Sequence, residues 1–86
     1  MNKIEILKTA LAQREEEVFE HQINIDNYRR AIPRAKDDPD LADFAVQLEG
    51  LLASSLIEQK KAQILVDVLN EQINEQYVLS EQINEQ

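Results

Sequence analysis

The sequence predicts an all-α protein, an antiparallel two-helix hairpin of coiled-coil character that dimerises into a four-helix bundle. Three observations predict it. The chain has one glycine and two prolines, and its abundance of Glu, Gln, Leu, Ala, Lys and Arg favours helix over strand and tight turn. Apolar residues in its first third recur at alternating steps of three and four, the spacing of a helix seam. A short polar stretch at 33–38, bounded by the prolines, divides two long helix-favouring runs.

The first helix is expected over about residues 2–32. Its seam reads Ile4, Leu7, Leu11, Arg14, Val18, His21, Ile25, Tyr28 and Ile32, of which seven of nine are apolar or aromatic. Ala10 and Phe19 flank this seam and widen it toward the stripe of a bundle helix. Pro33 is expected to end the helix, because proline lacks an amide hydrogen and disfavours helical geometry in the residue before it.

Residues 33–38 then form the linker. Asp38, Pro39 and Asp40 mark the start of the second helix: an N-cap acceptor, a φ already suited to helix, and negative charge at the positive end of the dipole. A linker this short returns the second helix antiparallel to the first.

The second helix is expected over about 39–78, with 79–86 as a frayed tail. Leu41, Phe44, Ala45, Leu48, Leu51 and Leu52 begin its apolar stripe, and Leu56, Ala62, Leu65, Val66, Leu69 and Ile73 continue it. Ala42, Val46, Ile57, Ile64 and Val68 fall outside that stripe. A helix apolar on more than one face needs more than one neighbour, so Leu48, Leu52, Leu65, Leu69 and Ile73 are the candidate oligomer interface. Gly50, Ala53, Ser54 and Ser55 make a small-residue patch, expected to admit the region around Phe19 and Gln22. The hexapeptide EQINEQ occurs at 71–76 and again at 81–86. A ten-residue offset turns equivalent positions by about 80°, so the copies do not share a face. From Ala62 onward there are five acids and no bases, an unfavourable charge for a helix C-terminus.

Composition bounds the rest. At 86 residues the chain is a single domain that buries a small fraction of its surface. It has no cysteine, so disulfides and thiolate chemistry are excluded and extra stability is expected from unusually good helix packing or from oligomerisation. The net charge of −8, from 17 acidic and 9 basic residues, disfavours a general nucleic-acid or anionic-membrane binder. Lys3, Glu5 and Lys8 interrupt the apolar opening, against a signal peptide. No stretch approaches the ~18 apolar residues of a membrane span. A cytoplasmic location is expected.

Chemistry-bearing residues are sparse. His21 is the single histidine, with Glu17 one turn before it, whereas di-iron bundles use Glu-x-x-His. It and Arg14 read as polar seam positions that restrict register and partner. Glu15, Glu16 and Glu17 point in different directions on a solvated helix and offer no separated acid and base. No glycine-rich phosphate loop or nucleophile elbow occurs, so no catalytic, metal or cofactor site is expected. Arg29, Arg30, Arg34 and Lys36 concentrate positive charge at the hairpin tip, which reads either as a contact for an acidic partner or a phosphate or as a complement to the helix dipole. The expected function is a non-enzymatic protein–protein interaction module, an oligomeric adaptor, regulator or inhibitor. The alternatives are an acidic decoy that imitates nucleic acid for a DNA-binding protein and, more remotely, a metal-binding bundle.

Overall fold

The computed structural model describes residues 2–85, with side chains through Gln82. Among these residues are two long α-helices, α1 (Lys3–Lys36) and α2 (Ala42–Glu85), which pack against each other as a hairpin. Asn2 caps α1, its side chain accepting the Glu5 amide at 2.9 Å.

α1 runs past Pro33, four residues beyond its expected end. The missing proline amide costs one bond near the C-terminus, where the helix is about to stop. The Pro33 carbonyl still accepts the Asp37 amide at 3.1 Å. The extra turn carries Ala35 into the core, where it packs with Ile32, Ala45 and Leu48. Burial of that layer offsets the helical geometry imposed on Ile32. The linker is therefore Asp37 and Asp38 alone, rather than 33–38.

Asp38 caps the second helical run as its sequence position predicts, accepting the Asp40 amide at 3.0 Å. The cap opens a 3₁₀ turn, Pro39–Leu41, which leads into α2. Asp38→Ala is expected to cost about 1 kcal/mol in denaturant melts. Asp37→Ala should change little, because Asp37 contributes a backbone amide. A larger loss at Asp37 would show that its carboxylate also caps.

Four contacts fix the register. Lys36 pairs with Glu49 at 2.6 Å near the tip, and Gln59 bonds across to Gln22 in the middle. Lys8 lies over the Tyr77 ring, 5.4 Å from its centroid, near the open end. The Ile32, Ala35, Ala45 and Leu48 cluster closes the tip. All nine residues of the expected α1 seam are buried or half-buried, whereas Phe19 is 66% exposed and lies outside it.

The α2 seam differs from the expected stripe. Ala45, Leu48, Leu52, Ser55, Gln59, Ala62, then Val66, Leu69, Ile73 and Gln76, alternate at steps of three and four and are buried or half-buried. Leu41, Phe44, Leu51, Leu56 and Leu65 remain exposed. Gly50, Ala53 and Ser54 also point outward, and only Ser55 of the small-residue patch faces α1. Gly50 has open space where a Cβ would stand, so it admits no bulky neighbour within the hairpin. Ser55 stands opposite Ile25 in this register, and Gln22 meets Gln59 instead.

α2 is helical to Glu85, beyond the end expected near residue 78. Lys3, where α1 begins, stands level with the region of Tyr77, so the last residues of α2 overhang. Helix-favouring Glu, Gln and Leu sustain that segment locally. Deleting 81–86 is expected to change the melting temperature by no more than a few degrees. A larger loss in a circular-dichroism melt would place the segment in a packed contact.

Candidate functional site

The hairpin's distinguishing feature is its surface. Among the described residues eight hydrophobic side chains are buried, three of them alanines, and Ile25 alone is fully enclosed. Fifteen large hydrophobic side chains are exposed. The accessible surface is 6570 Å², against about 5,200 Å² for a compact monomer of this mass. The radius of gyration is 19.8 Å, against about 12 Å for a compact chain of this length. A two-helix rod has no second layer to cover the outward residues of α2.

The two flanks of the seam differ. One flank is tied by long polar side chains, through the Lys36–Glu49 ion pair and the Lys8–Tyr77 contact. On the other flank α1 places Ala10, Asn24 and Ala31 on either side of Glu17, and α2 places Phe44, Leu51 and Leu65 on either side of Glu58. Those three α2 side chains are 50%, 49% and 45% exposed. Ile57, Ile64 and Val68 adjoin them on the outer face of α2, also exposed. This open flank carries more exposed apolar side chains than the tied flank.

The candidate interface residues divide accordingly. Leu48 and Ile73 are buried and Leu52 and Leu69 half-buried against α1, so the hairpin's own seam already uses them. Leu65 lies on the open flank. Sequence reasoning missed Leu51, Ile57, Ile64 and Val68 as surface candidates because it counted apolar residues without fixing which seam α1 occupies. The steps of three and four from Ala45 carry that signal, hidden by the polar Ser55, Gln59 and Gln76.

Arg14 and His21 lie in the middle of the rod. Arg14 turns out of the seam to pair with Glu17 at 2.7 Å. His21 is half-buried, and in this register it stands level with Gln59. The Gln59 amide nitrogen donates to the Gln22 Oε1 at 2.7 Å and to the Val18 carbonyl at 3.3 Å. This cross-helix pair, absent from the sequence reading, satisfies a polar layer between apolar ones, which penalises shifted registers.

Among the described residues no group of three or more His, Cys, Asp or Glu is placed to hold a metal ion. Glu17, one helical turn before His21, is engaged by Arg14. At the tip, Arg30 donates to the Asn27 Oδ1 at 2.6 Å and Lys36 is paired with Glu49. Arg29 and Arg34 are exposed and form no ion pair among the described residues. A shallow depression along Asn74, Glu75, Val78, Leu79 and Gln82 is formed by α2 alone. No described helix is long and apolar enough to cross a membrane.

No protein-family model, curated protein or solved structure matches the chain. The functional reading therefore rests on the surface just described.

Proposed function

We propose that this chain is a non-enzymatic, cytoplasmic interaction protein, a helical hairpin that self-associates and, as an oligomer, serves as an adaptor, regulator or inhibitor of another protein. The excess of exposed over buried large hydrophobic side chains carries this reading. Contiguous apolar surface of this extent marks interaction sites in soluble proteins. The surplus of roughly 1,400 Å² over a compact monomer exceeds the ~800 Å² that each partner contributes to a standard interface. At ~25 cal/mol per Å², burying even half of that surplus as apolar area contributes about 18 kcal/mol before association costs.

Light scattering at micromolar concentration should give about twice the 9.9 kDa chain mass, with a melting temperature that rises with concentration. A monomer with a concentration-independent melt would sink the self-association reading. A partner protein recovered from the native host separates the binding readings by salt. Retention across 50–500 mM salt supports apolar docking, and steep loss points to the acidic decoy.

A further inference from the structure

We propose that the open flank docks a second copy of this chain with both hairpin tips at the same end, so that α1 of each protomer packs on α2 of its partner. The inference rests on the self-association reading and adds the face and the orientation. Two surfaces related by a two-fold axis can meet on this flank in two ways. With the axis along the rod, the tips coincide and α1 lies on the partner's α2. With the axis across the rod, the tips lie at opposite ends, α1 meets α1 and α2 meets α2.

The charges along the rod separate these arrangements. α1 is basic at the tip, with Arg29, Arg30, Arg34 and Lys36, and acidic in the middle, where Glu15, Glu16, Glu17, Glu20 and Asp26 outnumber Arg14. At the open end it carries Lys3 and Lys8 against Glu5. The other arm has the opposite pattern. Its tip holds Asp37, Asp38, Asp40, Asp43 and Glu49, its middle holds Lys60 and Lys61 against Glu58, which pairs with Lys61 at 3.3 Å, and its open end holds Asp67, Glu71, Glu75 and Glu81.

Level by level, α1 complements α2. With the tips together, Arg30 and Arg34 lie level with the partner's acidic tip, the acidic middle of α1 with the region of the partner's Lys60, and Lys3 with the partner's acidic open end. With the tips opposed, the two acidic ends of α2 meet each other and the two acidic middles of α1 coincide. Like charges at close range disfavour that pairing and screening only partly relieves it.

The test uses the cysteine-free chain with one label site, Asp37→Cys at the tip, carrying a nitroxide. Tips together give a label separation on the order of 10–25 Å, set by helix spacings of 8–10 Å and the label arms. Tips opposed give a separation approaching the 72 Å length of the rod. A dimer with the long distance overturns this inference and leaves self-association standing, whereas a monomer without dipolar coupling overturns both. For the face, Leu51→Glu with Leu65→Glu should halve the mass in light scattering, while Val46→Glu, on the outer side toward the tied flank, leaves the dimer intact. A dimer that survives the first pair, or is lost through Val46→Glu, overturns the assignment of the face. The orientation is read from a chain whose apolar surface is unaltered, so it does not depend on the glutamate variants folding.

Discussion

Replacing Ile25 with alanine is expected to lower the unfolding free energy by about 3 kcal/mol, the usual cost of truncating a buried isoleucine. Ile25 is 1% exposed and is the one fully enclosed large side chain among the described residues. The register sets Ser55 opposite it, too short to fill the space left by the missing carbons. At 4–8 °C per kcal/mol for a domain of this size, the melting temperature should fall by about 12–24 °C. Phe19→Ala supplies the contrast. It removes a larger side chain, yet Phe19 is 66% exposed, and its loss should stay within about 0.5 kcal/mol. Comparable losses at both positions, in denaturant melts at one concentration, would mean that the seam of α1 passes through Phe19.

Ala35→Leu is expected to cost about 2 kcal/mol for the opposite reason. Ala35 and Ala45 are each 3% exposed and share the layer next to the turn. With only Asp37 and Asp38 between α1 and the 3₁₀ turn, the helices cannot spread there without disturbing the Asp38 cap. Small residues are what that closeness permits. Ala53→Leu adds the same carbons on the outward side of α2 and should be nearly neutral. Chemical denaturation decides between the two outcomes, and a stabilising Ala35→Leu would show that the tip layer is underpacked.

Much of this architecture is legible in the residues because it is local. Low glycine and proline content and the step of three and four in α1 specify a helix and the face it buries. Asp38 followed by Pro39 specifies where the second helical run begins, since a cap and a fixed φ act on their immediate neighbours. The basic tip and acidic C-terminal run are likewise properties of the chain itself.

The rest depended on what each residue meets across the hairpin. Pro33 reads as a helix stop in isolation, but burial of Ile32 and Ala35 against Ala45 and Leu48 extends α1 through it. The stripe of α2 is so broad that several seams satisfy its apolar residues, and a polar residue such as Gln59 hides the correct one. Only its bonds to Gln22 and Val18 show that it faces inward. Leu48, Leu52, Leu69 and Ile73 therefore belong to the hairpin, while Leu51 and Leu65 remain exposed. Sequence by itself determined the helices and their direction, because those follow from propensity, capping and a short turn. Which apolar residues remain uncovered was decided by the tertiary structure, because one seam excludes water from one face only.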